Sequence, residues 1–74
     1  MDIRKISVGP DYKGAMHYMV GQKILNDTNE IHHIKRNIKN LSFQVFIINK
    51  KEEVVLWKEF SQSMPISIEF NIDF

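Results

Sequence analysis

Cysteine is absent from this 74-residue chain, which excludes disulfide staples and thiolate zinc sites together. Alanine and leucine are nearly absent, at one and three residues, and a helix without them lacks its best formers. Glycine and proline are also few, at three and two, so each one punctuates and none builds a linker. No apolar run approaches the roughly 20 residues of a membrane-spanning helix. No apolar signal segment follows Met1, and the chain reads as soluble and intracellular. A net charge of only +1 lacks both the broad basic footprint of a duplex binder and the charge of an acidic decoy.

Size sets the next limit. Folding at this length buries only about 60 % of the surface that the unfolded chain exposes, enough for a single domain over residues 1–74. Small cores are usually supplemented by disulfides, a metal or a second subunit. With disulfides closed off, a homodimer is the expected supplement.

Isoleucine, lysine and asparagine are abundant, at eleven, eight and six residues. That choice follows AT-rich codons, as in many low-GC bacteria and their phages. It also favours strands, because a β-branched side chain is stiff and fits a pleated surface. Ile3 to Val8 is a short apolar stretch, a strand halted by Gly9-Pro10. Between Asp11 and Tyr18 the sequence supports one or two helical turns, with Tyr12, Ala15, Met16, Met19 and Val20 in helical rhythm. Met16, Tyr18, Val20 and Ile24 fit a two-residue alternation as well. Asn26 to Asn29 and Asn37 to Asn40 are turn formers around a strand from Glu30 to Arg36.

Leu41, Phe43, Val45 and Ile47 then alternate with Ser42 and Gln44, the signature of a strand with one apolar face. Asn49-Lys50-Lys51-Glu52 is a polar hairpin tip, followed by Val54, Leu56 and Phe60. Ile66, Ile68, Phe70, Ile72 and Phe74 alternate without a fault with Ser67, Glu69, Asn71 and Asp73. The expected fold is α+β, mainly β: an antiparallel meander of about four or five strands with one short N-terminal helix. The two central strands are apolar on both faces, with Phe46, Ile48, Val55 and Trp57 on the second. Either the N-terminal helix or a second subunit should cover that face.

Catalytic patterns are missing. There is no phosphate loop and no dinucleotide fingerprint, and no carboxylate pair stands in a recognisable motif, so no catalytic residue or cofactor is assigned and the chain is read as a non-enzyme. His17, His32 and His33 give no metal site: neighbours on a strand point to opposite faces, so His32 and His33 should not chelate together. Charge is uneven. Residues 30–51 carry a balance of +4 and residues 52–74 a balance of −4. One reading is a pair of opposite patches, of which one steers a partner; the plainer one is solvated charge cancelled by cross-strand pairs. Basic residues near Phe43, Phe46 and Trp57 are a thin footprint for single-stranded nucleic acid, so nucleic acid is not the expected partner.

The last six residues, Glu69 to Phe74, resemble the Q-x-x-L-x-F peptide that docks into the pocket of bacterial sliding clamps. Ile72 and Phe74 would be its anchors, although Glu69 stands where the peptide has Gln and Ile72 where it has Leu. The stretch RKISVGPDYKGAMHY, the segment VVLWKEF and the closing PISIEFNIDF, with the Ile/Lys/Asn bias, resemble small host-takeover proteins of Twort-like staphylococcal phages, and among these the inhibitors of the host DNA sliding clamp. The resemblance implies a self-contained β protein of the host bacterial cytoplasm that blocks replication by stoichiometric binding. A clamp is a ring with a basic channel. Under this resemblance the partner-binding residues are Glu52, Glu53, Glu59, Glu69 and Asp73, with Phe74 for the peptide pocket. A different host target, such as RNA polymerase, a nuclease or a defence system, or a role as a small single-stranded nucleic-acid binder, is the alternative.

Overall fold

The computed structural model describes residues 2–11, 14–26 and 28–71. Among them, seven strands form one antiparallel sheet: β1 (Ile3–Asp11), β2 (Gly14–Met19), β3 (Lys23–Ile24), β4 (Asn29–Asn37), β5 (Ser42–Ile48), β6 (Val54–Ser61) and β7 (Ile66–Phe70). Neighbours run β2-β1-β4-β5-β6, with β3 beside β4 and β7 beside β1. The β4-β5-β6 stretch is the expected meander. The rest is not, because β1 pairs with β7 from the far end of the chain (Ile6↔Ile68, Val8↔Ile66) and meets β4 at Ile3↔Ile34.

The helix expected between Asp11 and Tyr18 is replaced by strand. Asp11 ends β1, and β2 pairs back onto it through Ile6↔Tyr18, Ser7↔His17 and Val8↔Met16. The two-residue alternation wins here: Tyr18 is buried and Val20 packs against the core, while His17 and Met19 are exposed. Gly14 and Gly21 bracket this strand with φ of +95° and +91°, values a right-handed helix cannot hold. Nor does β1 stop at Gly9-Pro10. It continues across a register irregularity between Val8 and Asp11, where the Gly9 N–H donates to the Pro65 carbonyl at 2.8 Å.

The core takes alternate residues, except where register shifts set Ile3 and Ile6, and Ile31 and Ile34, three apart. Ile3, Ile6 and Val8 of β1, Tyr18 of β2, Ile31 and Ile34 of β4, and Phe43, Val45 and Ile47 of β5 are all buried. Each full burial of such a side chain is worth about 1.5–3 kcal/mol. Val20, Ile24, Trp57, Phe60, Ile66 and Ile68 pack around them. The sheet wraps on itself to enclose this cluster. Tyr18, at one end of the strand path, meets Trp57 edge-on at 5.8 Å and Phe60 at 5.4 Å on β6 at the other end.

Two one-residue irregularities decide which side chains face inward. On β6 the pairing passes from Val45↔Lys58 to Phe46↔Leu56, leaving Trp57 as the extra residue of a bulge. Val55, opposite buried Ile47, and Trp57 therefore lie on the core side. The second face, expected to carry Phe46, Ile48, Val55 and Trp57, instead carries Phe46 and Ile48 with their partners Leu56 and Val54. On β4 the pairing passes from Ile31↔Ile47 to His33↔Phe46, and His32 is the extra residue.

Candidate interaction surface

The ladder carries His33, Phe46 and Leu56 side by side across β4, β5 and β6, with Ile48 opposite Val54 one step along. These residues lie on the face opposite Val45 and Ile47. The His33 ring stacks on Phe46, with centroids 4.4 Å apart and planes 9° from parallel. Val54, Val55 and Leu56 are 43 %, 43 % and 47 % exposed, three apolar residues in succession at the surface. No helix covers them among the described residues. Among those residues β6 also pairs with β5 alone, so its other edge offers unpaired backbone groups beside the apolar side chains.

Carboxylates bracket this strand. Glu52 and Glu53 lie in the β5–β6 turn, which Asn49 organises: its Oδ1 accepts from the N–H groups of Lys51 at 2.9 Å and Glu53 at 3.0 Å. Glu52 sits there with φ of +62°, a left-handed backbone that L side chains adopt only where a turn requires it. Lys50 and Lys51 share the same tip, so the basic and acidic stretches of the chain meet in one turn. Glu59 lies toward the other end of β6. It accepts hydrogen bonds from buried Ser42 (Oγ to Oε2, 2.6 Å) and from Gln44 (Nε2 to Oε2, 3.1 Å).

Of the acidic residues named from sequence, Glu52 and Glu53 lie together in the turn before β6, and Glu59 lies toward the other end of that strand. Glu69 does not join them. It sits on β7, where Lys5 of β1 approaches its carboxylate at 3.8 Å. Asp73 and Phe74, together with Ile72, lie outside the described residues.

The histidines depart from the sequence expectation. With His32 as the extra residue, the two rings meet edge to face, centroids 5.1 Å apart and planes 78° apart, and their Nδ1 atoms lie 2.8 Å from each other. Burial, followed by the neighbouring His32 and Lys35, holds the His33 imidazole below its ordinary value, since each disfavours a further positive charge. His17 lies apart, with Nδ1 at 2.8 Å from the Ser7 hydroxyl. Two shallow grooves flank Ile3 and Ile34. One, of 340 Å³, is walled by Lys35, Arg36, Phe43 and Phe70; the other, of 380 Å³, by His32, His33, Asp2 and Asn71. A third, of 360 Å³, runs between Met16 and Tyr18 of β2 and Phe60 and Met64.

No known protein family, curated protein or solved structure matches this chain.

Proposed function

We propose that the protein works by stoichiometric binding, as a phage-encoded inhibitor of the bacterial DNA sliding clamp that blocks passage of DNA in the host cytoplasm. The target follows from the sequence resemblance. The observation that supports a binding role is the edge strand β6, with three exposed apolar residues set between Glu52 and Glu53 at one end and Glu59 toward the other. An uncovered apolar stripe on a small protein marks an interface. The acidic ends suit a basic partner and would steer its approach.

The stripe and the carboxylates divide the work. Val54, Val55 and Leu56 join a second copy along the free edge of β6, and the homodimer presents two sets of Glu52 and Glu53 to the clamp channel. Glu69, on β7, would make a separate contact, Asp73 is proposed from the sequence alone, and Phe74 belongs to the competing mode in which the chain end enters the clamp's peptide pocket. The net charge of +1 makes this contact a local imitation of DNA instead of a uniform one.

Titration into purified clamp at low and high salt tests the reading. Channel binding weakens as salt screens the carboxylates and is lost on reversing Glu52 and Glu53 to Lys. Pocket binding survives both and is lost on deleting residues 72–74. Absence of binding by the native chain discards the clamp as target.

A further inference from the structure

We propose that His32 and His33 form a two-nitrogen site for a divalent transition-metal ion with a preference for square-planar ligands, copper(II) above all, held through both Nδ1 atoms. On a regular strand the two rings would stand on opposite faces. The bulge at His32 removes that obstacle by adding a residue to β4 between the pairs Ile31↔Ile47 and His33↔Phe46. The result is a separation of 2.8 Å between two imidazole nitrogens.

That separation is the length of a hydrogen bond between two rings whose planes stand 78° apart, and it also matches one metal geometry. Imidazole nitrogen binds such ions at about 2.0 Å. Two ligands at this length subtending a right angle lie about 2.8 Å apart, whereas a tetrahedral angle needs about 3.3 Å. The right angle belongs to tetragonal copper(II) and nickel(II), and copper(II) stands highest in affinity along the divalent series. The pair is also partly pre-set. His33 is held by its stack on Phe46, so little ring freedom remains to be lost on binding.

Without metal, one Nδ1 carries the proton that the other accepts. When the ion enters, that proton moves to Nε2 of the same ring, leaving both Nδ1 lone pairs for the metal and both imidazoles neutral. The described residues hold no set of three His, Cys, Asp or Glu side chains that would close the site. The remaining positions therefore go to water, with His32 exposed. Of the charged groups lining the same groove, Asp2 favours a cation there and Lys35 opposes it.

The test is titration of the purified chain with Cu²⁺ alone in a non-coordinating buffer, followed by calorimetry and electron paramagnetic resonance. One ion per chain with hyperfine splitting from two imidazole nitrogens is expected. His32→Ala and His33→Phe should each weaken binding about tenfold or more; the second retains a ring to stack on Phe46, so the fold is kept and circular dichroism can verify it. His17→Ala should change nothing, and Lys35→Gln should tighten binding. Zn²⁺ should bind more weakly than Cu²⁺. Splitting from one nitrogen or none in the native chain overturns the proposal, as does a folded double variant, His32→Ala with His33→Phe, that binds Cu²⁺ as tightly as the native protein.

Discussion

The inner and outer faces of the β4-β5-β6 meander are made of the same kinds of residue and have opposite fates. Ile31, Ile34, Phe43, Val45 and Ile47 are closed off by β1, β2 and β7, whereas Val54 and Leu56 stand nearly half exposed. Hydrophobicity does not separate the two sets. What separates them is which face the rest of the chain covers, and a chain of 74 residues has strands enough to cover one. The surplus apolar face is then free for association, while the inner face holds the fold.

Adjacent residues on β5 give the sharpest way to break that contrast. Ile47 is buried and Ile48 is partly open on the opposite face. Ile47→Ala should cost about 2–5 kcal/mol, transfer and cavity terms together, which is enough to unfold much of a domain this small. Ile48→Ala should cost about 1 kcal/mol or less. Urea unfolding of both variants checks the difference, and equal losses would erase the distinction between the faces. Trp57→Ala should fall between them, at about 2 kcal/mol, because Trp57 is only half buried against Tyr18 and the core. It should leave self-association intact, since the bulge has taken Trp57 off the outer face.

Glu59 tests whether the acidic residues of β6 are interchangeable. Glu59→Ala strands the hydroxyl of buried Ser42 and should cost about 1 kcal/mol, whereas Glu53→Ala, at the exposed turn, should cost about 0.5 kcal/mol or less. Thermal melts of the pair decide. Partner binding should depend more on Glu52 and Glu53, whose carboxylates are less engaged within the chain.

The smallest effect is alkaline. Burial raises the Tyr18 phenol above its ordinary value of 10.0, so the unfolded chain loses that proton first as pH rises. The contribution is intact below the ordinary value and stability falls as pH climbs beyond it. Tyr18→Phe should lessen the drop in melting temperature between neutral and strongly alkaline solution. An unchanged drop would place Tyr18 outside the core.

Much of the sheet was legible because alternation is local. Phe43, Val45 and Ile47, the Asn49 turn, and the run of Ile66, Ser67, Ile68 and Glu69 all declare their faces by spacing alone. The strand Gly14–Met19 was ambiguous because Met16 and Val20 satisfy both periods, and the deciding influence is the β1 edge beside it. The central place of β1 was hidden for a related reason, since its pairing with β7 joins the two ends of the chain. Bulges were the least legible. One extra residue inverts the facing of its neighbours, and nothing in the residue types at His32 or Trp57 announces it. The placement of Glu52, Glu53 and Glu59 along β6 and the turn before it was legible because it follows sequence order alone. That of Glu69 was illegible, since its neighbour Lys5 lies across the β1–β7 ladder.

Sedimentation equilibrium of the native chain and of Leu56→Glu tests most directly whether the outer face is an interface. Leu56 is 47 % exposed on the free edge strand and opposite Phe46, so a charge there leaves the core untouched and interrupts the apolar stripe. The native protein should sediment as a concentration-dependent dimer, and Leu56→Glu as a folded monomer of 8.8 kDa with a melting temperature close to native. A native chain that stays monomeric at every concentration, or a Leu56→Glu chain that dimerises as readily, would contradict it.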